Sequence, residues 1–345
     1  MGLRLAVEWL LAITAAGPAI EQGPGAAGRL SRFEFEETHM ASPFHIVLYS
    51  KDDASARRAS RAAYDRIAAL NAILSDYDPE SELSRLGRLA GNGPVPVSTD
   101  LFEVLRRSKE IYERSEGAFD VTIAPVGRLW RRARRDHKLP DPARLAEARP
   151  LVGSDKMVLD AKARTVHLKK AGMKLDVGGI AKGYAAQAAL NVLKKEGITR
   201  ALVGGAGDIV VGDPPPDAPG WKVAIAPPEP GKSGPTRVLL LANVAVSTAG
   251  DAVQYVVIDG HRYSHIINPS TGVGVEDRAS VTVVAPDGAT ADALETTVYV
   301  MGPERGLKLV DETPGGSAIF VRSTPEGIKS FESSRFKQVP LAPRD

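Results

Sequence analysis

The chain predicts an α+β fold with mixed or antiparallel sheets, and three observations predict it. Helical periodicity is confined to a few separated segments. The second half is mostly strand-like, in short β-branched runs. The two kinds of segment do not alternate as regular strand–helix–strand units, which argues against a doubly wound parallel sheet.

The elements follow in order. Residues 1–19 read as a secretory-type signal segment or an N-terminal helix: Arg4, an apolar stretch interrupted by Glu8, then small residues near Ala16 and Ala19. Residues 20–32 are a Gly/Ala-rich linker, 33–335 the main domain and 336–345 a C-terminal tail. "RFEFEETHMASPFHIVLYS" alternates as an opening strand pair. Residues 53–75 form a helix with Ala63, Ile67, Leu70 and Leu74 on one stripe. A loop with a short helical turn leads to a helix over 99–116, and "GAFDVTIAPV" is read as a glycine turn followed by a strand. Strands are expected at 157–160, 165–168 and 200–203, with a helix at 180–196. "WKVAIAP", "RVLLLANVAVST", "AVQYVVIDG", "HRYSHIINP" and "SVTVVAP" follow as strands, then helices at 289–301 and 303–311 and a hairpin around 317–331.

Composition narrows the function. The 345 residues are 43% apolar, enough for a large core, and the net charge is +2, so nothing points to nucleic-acid binding. The basic run "RLWRRARRDHK" (128–138) reads first as a solvated helix face, with steering of an anion or contact with lipid headgroups as the alternative. The chain has no cysteine, which excludes disulfides, thiolate nucleophiles and Cys-ligated zinc.

Four stretches carry chemistry. "KLDVGGIAKGYA" (174–185) places Asp176 on a strand-like run, then Gly178 and Gly179 before a helix whose stripe includes Ile180, Tyr184 and Ala188. Free amides at that helix start, with Lys182, suit an anion, although such junctions are also common without one. "GGAGDIVVG" (204–212) lacks the helix that a dinucleotide fingerprint needs, leaving a tight turn between strands or a loop near a ligand. In "ATADALETTVYVMG" (289–302), Asp292, Glu295, Thr296 and Tyr299 share one helix face. Asp292 and Thr296 offer the hard oxygens that magnesium prefers; a solvated face, or Thr296 bonding back to the Asp292 carbonyl, is the plainer reading. His265 is expected in a strand ending at a proline turn, where a lone histidine is usually structural, and Tyr77 at a helix end either packs or stacks on a flat ring.

Taken in order, "MASPF", "LNAILSDYDPESELSRL", "GAFDVTIAPV", "LDVGGIAKGYA", "LVGGAGDI", "AVSTAGD", "YSHIINPSTG" and "ATADALETTVYVMG" resemble the ApbE family of flavin transferases, over residues 33 to about 330. The resemblance implies a two-lobed α+β fold with FAD in the cleft between the lobes. It implies magnesium-dependent cleavage of FAD, with FMN joined through a phosphoester to a Thr or Ser of an acceptor flavoprotein and AMP released. Acceptors in the family are subunits of membrane redox complexes and related flavoproteins; some members instead hydrolyse FAD to FMN and AMP.

Residue by residue, the resemblance implies metal ligands at Asp292, Thr296 and the carbonyl of Gly179. It implies an FAD site lined by Met40, Tyr77, Ala118, Phe119, Asp120, Asp176, Lys182 and Ile266, and catalytic roles for His265 and Asp292. Three departures stand out: Met40-Ala41-Ser42 replaces the usual Met-Gly-Thr, Glu295 replaces a serine on the metal face, and there is no N-terminal cysteine for a lipid anchor. Localisation is expected in the cell envelope, periplasmic or associated with the inner membrane through the N-terminus. A flavin-binding protein without turnover is the competing class, and Asp292, Thr296 and His265 together argue against it.

Overall fold

The computed structural model describes residues 29–225, 237–250 and 254–343. The proposed signal segment and residues 20–28 of the linker lie outside the described residues, and Ser31 and Arg32, expected in the linker, already belong to the first strand. Eight strands form one antiparallel sheet that follows chain order: β1 (Ser31–His39), β2 (Ser42–Ser50), β3 (Ala201–Gly205), β4 (Asp208–Val211), β5 (Val244–Gly250), β6 (Ala279–Ala285), β7 (Ser317–Thr324) and β8 (Gly327–Glu332). Every neighbouring pair is antiparallel. The α+β expectation is thereby met.

Because side chains alternate across a strand, each strand feeds two layers. Ile46 and Leu48 of β2 and Val281 and Val283 of β6 enter the main core, beneath the helices. Val47, Leu202, Val246 and Val284 point the other way, into a second core. That second core is closed by a hairpin, Trp221–Ala224 with Val238–Leu241, and by Phe336. Residues 336–343, expected as a tail, pack there: Leu240 N donates to the Pro340 carbonyl at 2.8 Å. With both faces covered, all seven residues of β6 are buried, Ser280 and Thr282 included.

The helices among the described residues are α1 (Asp53–Leu74), α2 (Glu82–Arg88), α3 (Thr99–Arg114), α4 (Ala124–Asp136), α5 (Pro142–Ala148), α6 (Ala181–Lys195), α7 (Gly288–Met301) and α8 (Pro303–Asp311). Asp52, Ser81, Ser98 and Asp287 accept backbone N–H groups at the starts of α1, α2, α3 and α7. A satellite core joins Val126, Trp130 and Ala133 of α4 to Ala148, Val256, Ile258 and Tyr263.

Four expectations are corrected. "GAFDVTIAPV" holds no strand: Asp120 accepts the Thr122 amide at 2.9 Å and opens a 3-10 turn over Val121–Ile123, and Pro125 then sits in the first turn of α4. A short capped turn thus overrides the β-branched run. "KLDV" is loop rather than strand. "RVLLLANVAVST" divides at Ala242-Asn243, where Asn243 has φ 53°, so its halves serve two different sheets. "HRYSHIINP" divides likewise into His261–Ser264 and Ile267–Asn268, leaving His265 between strands.

Candidate active site

The site is built where α6 meets α7. α6 begins at Ala181 with no side-chain cap of its own. The missing cap comes from the neighbouring helix: Asp292 Oδ2 accepts the Gly183 amide at 2.9 Å. Such an approach needs glycine on both sides. A Cβ on Gly183 would lie 2.1 Å from the Gly288 carbonyl oxygen, and one on Gly288 would lie 2.1 Å from that of Gly183. Gly179 is confined less severely: an added Cβ there would meet Thr296 Oγ1 at 3.1 Å and Phe119 at 3.3 Å. Phe119, Gly179 and Thr296 therefore meet at one point of the structure.

The polar face of α7 is not solvated. Asp292 is 2% exposed, Glu295 7% and Tyr299 1%. Tyr299 belongs to the core, its hydroxyl donating to the Asp277 carbonyl at 2.7 Å. Thr296 Oγ1 donates to Glu295 Oε1 at 3.2 Å, while Thr297 supplies the back-bond, to the Ala293 carbonyl at 2.5 Å. Oε2 of Glu295 is buried without a hydrogen-bond partner.

Asp208 on β4 joins this cluster, its Oδ1 accepting from Ser247 Oγ at 2.5 Å. Burial pushes the Asp292 and Glu295 carboxyls well above the ordinary carboxylate range, and each is raised further by its acidic neighbours. Asp208 is raised by burial and opposed by Lys182. Burial works against charge on Lys182, but Asp208, Asp292, Glu295 and Asp176 outweigh it and hold the ammonium protonated. Three buried carboxyls, Asp208, Asp292 and Glu295, share the one lysine, so a cation placed among them would favour their ionised forms. Among the described residues no three His, Cys, Asp or Glu side chains are arranged to hold a metal ion. The resemblance instead assigns a cation to Asp292, the Thr296 hydroxyl and the Gly179 carbonyl, and the structure sets Glu295 beside them on the same helix face. The unpartnered Glu295 oxygen and this hard-oxygen set fit magnesium.

A second cluster borders the first. Tyr77 follows α1 and is 76% exposed, so it is not a packing residue. The Arg131 guanidinium lies 4.4 Å above its ring and pairs with both Asp76 and Asp176, the latter at 2.7 Å. Asp176 Oδ1 also accepts the Gly178 amide at 2.9 Å. The basic run of α4 is thus only partly solvated, with Arg131 turned to the site and Trp130 buried, its Nε1 donating to the Gly272 carbonyl at 2.6 Å.

His265 is held between two short strands, and its Nδ1 lies 3.1 Å from the Gln254 carbonyl. A carbonyl only accepts, so Nδ1 carries the proton and Nε2 keeps its lone pair. Burial, with Arg134 and Lys182 nearby, pushes the ring pKa down to about 4 despite that hydrogen bond. Ile266 packs beside it against the main core. Asp120 is buried and fully engaged, accepting from Thr122 and Ser154, so its side chain fixes the loop that presents Ala118 and Phe119. Met40 lies on the β1–β2 turn against the main core.

Sequence reasoning missed Asp208, Arg131, Asp76 and Gly183. For Asp208 a signal existed, an acid opening the apolar run "DIVVG". The tight-turn reading of that stretch holds: residues 206 and 207 form a two-residue hairpin turn, and the next residue, Asp208, interacts electrostatically with Lys182.

A helix start facing a carboxylate-lysine cluster, beside an exposed aromatic and a histidine held as a neutral base, is an arrangement able to hold an anion and take up a proton. The model of the ApbE family matches residues 40–321, and the chain belongs to that family. It is 31% identical over 311 residues to the FAD:protein FMN transferase of Haemophilus influenzae, covering 87% of this chain and 89% of the relative. It is likewise 31% identical to the FAD:protein FMN transferase of Treponema pallidum, covering 86% of each chain. Among solved structures it is similar to the flavin transferase ApbE from Vibrio cholerae, with a TM-score of 0.82, 28% identity and coverage of 90% of this chain and 99% of that one. The Pseudomonas stutzeri flavinyl transferase ApbE matches with a TM-score of 0.80 and 26% identity, over 92% and 99% of the two chains.

Proposed function

We propose that this enzyme transfers FMN from FAD to a Thr or Ser hydroxyl of an acceptor flavoprotein, releasing AMP. Family membership supports the flavin transferase assignment. The observation that carries the chemistry is the Asp292–Gly183 junction, with Lys182, Asp208 and Glu295 around it.

In the proposed reaction the acceptor oxygen attacks the phosphorus that bears the riboflavin. A new P–O bond forms, the P–O bond to AMP breaks, and the electron pair stays on the AMP phosphate. His265 Nε2, the nitrogen left unprotonated by the Gln254 contact, takes the hydroxyl proton. Lys182 supplies positive charge to the phosphates, Tyr77 offers a face to a flat ring, and Asp176 is oriented by Arg131 and Gly178. Asp292, Thr296 and the Gly179 carbonyl would hold magnesium, which neutralises charge building on the leaving phosphate. Met40, Ala118, Phe119 and Ile266 would complete the flavin side, with Asp120 shaping the loop.

The acceptor is read as a flavin-carrying subunit of a membrane redox complex, and the setting as the cell envelope, a reading supported by the apolar stretch after Arg4. Among the described residues no helix is long and apolar enough to cross a membrane. The test incubates the enzyme with FAD and an acceptor domain, with and without magnesium, and follows intact acceptor mass and free nucleotides. A magnesium-dependent mass gain of one FMN, matched by AMP, is expected. Free FMN and AMP beside an unmodified acceptor would turn the assignment to hydrolysis.

A further inference from the structure

Glu295 has no role in the mechanism above, yet its placement is costly. It is 93% buried on the inner face of α7, one turn from Asp292, and its Oε2 meets no donor. A buried carboxylate oxygen without a partner persists when something absent from the protein chain satisfies it. Among the described residues the one donor bonded to the carboxylate is the Thr296 hydroxyl, which holds Oε1 and so fixes the orientation of the group. Asp292, at i−3 on the same helix, and Thr296, next in sequence, bring two further oxygens to the same face. The nearby cation is Lys182, whose one positive charge serves Asp208 and Asp176 as well.

We propose that Glu295 is an additional carboxylate ligand of this site, so that the enzyme takes up a divalent cation before any nucleotide is bound. The proposal rests on the reading of Asp292 and Thr296 as cation ligands. With one carboxylate, a hydroxyl and a carbonyl, the protein offers too little negative charge to retain a hydrated divalent ion, and the diphosphate of the nucleotide has to complete the site. A second carboxylate changes this: two anionic ligands neutralise the ion within the protein itself. Cation and nucleotide binding then become separate steps.

The experiment uses the full chain, stripped with a chelator, and Mn2+ alone as probe. Loss of the free Mn2+ electron-paramagnetic-resonance signal is titrated in the absence of FAD, with the Mg2+-induced rise in melting temperature as a second readout. The parent enzyme is expected to bind one Mn2+, and Glu295→Gln to weaken that binding by roughly tenfold or more. Glu295→Asp keeps the charge and should restore part of it. Glutamine fits the same space without a buried charge, so the variant should melt at or above the parent temperature in metal-free buffer; a lower melting temperature would mean that Glu295 serves the fold and overturn the proposal. Equal Mn2+ binding by parent and Glu295→Gln, or no binding by either without FAD, would also overturn it. FMN transfer to an acceptor is assayed in parallel: normal transfer with nucleotide-free Mn2+ binding absent defeats this inference alone, whereas absent transfer with Glu295-dependent Mn2+ binding defeats the transferase reading alone.

Discussion

Asp292 on α7 caps helix α6 by accepting the Gly183 amide at 2.9 Å. One carboxylate therefore serves two ends: it satisfies an otherwise uncapped helix start, and it holds that start against the acidic face of its own helix. The two roles separate by substitution. Asp292→Asn retains an oxygen for the Gly183 amide, so it should change stability little while lowering FMN transfer by roughly a hundredfold or more. Chemical denaturation beside single-turnover transfer checks this; a large stability loss with transfer intact would reverse the assignment.

Gly183→Ala acts on the same junction from the other side. The added Cβ would stand 2.1 Å from the Gly288 carbonyl oxygen and 2.7 Å from Asp292 Cβ, so the helices must separate. The combined loss of packing and cap should cost about 3 kcal/mol, read as a lower denaturant midpoint. A cost below about 1 kcal/mol would show that the junction yields easily.

His265 should act as a base without titrating near neutral pH. Its pKa is pushed down to about 4, so the transfer rate should show no inflection at the ordinary histidine value near 6.5. The sign for stability follows. Between about 4 and 6.5 the unfolded chain binds a proton that the folded chain does not, so this group lowers stability as pH falls through that window. His265→Ala should remove that slope and slow transfer by roughly a hundredfold or more, with FAD affinity retained. Equal losses of affinity and rate would identify a binding residue.

Arg131 ties Tyr77, Asp76 and Asp176 together, although it lies in a run that reads as solvated charge. Burial and Asp176 push the Asp76 carboxyl up, opposed by Arg131, so removing the guanidinium leaves two acids facing each other. Arg131→Met should raise the KM for FAD by roughly tenfold, change kcat little and lower stability by about 2 kcal/mol. An unchanged KM would mean that the cluster only supports the fold.

The β1–β2 turn holds Met40 at φ 49° and Ala41 at φ 58°, both left-handed. That turn favours glycine, and the alanine is strained. Ala41→Gly should raise stability by about 0.5–1 kcal/mol, after allowing for the extra freedom glycine gives the unfolded chain. A lower melting temperature would show that Ala41 contacts outweigh the strain.

Local chemistry was legible where it acts over a few residues. The helix over 289–301, the i to i+4 relation of Asp292 and Thr296, the glycine doublet before α6 and the strands at 157–160 and 165–168 all depend on short-range periodicity and turn preference. Local reasoning also failed locally at "GAFDVTIAPV", where an Asp cap and a proline outweighed β-branched residues. What the sequence could not determine is which face of α7 meets water. Asp292, Glu295 and Tyr299 are polar and share a face, but the covering groups come from α6 and from β4, such as Gly183 and Asp208, 109 and 84 residues before Asp292. The charge state of that face, the partner of the Gly183 amide, and the meeting of Asp208 with Lys182 were decided only by tertiary structure. Burial strengthens every charge interaction there, and no spacing along the chain encodes burial.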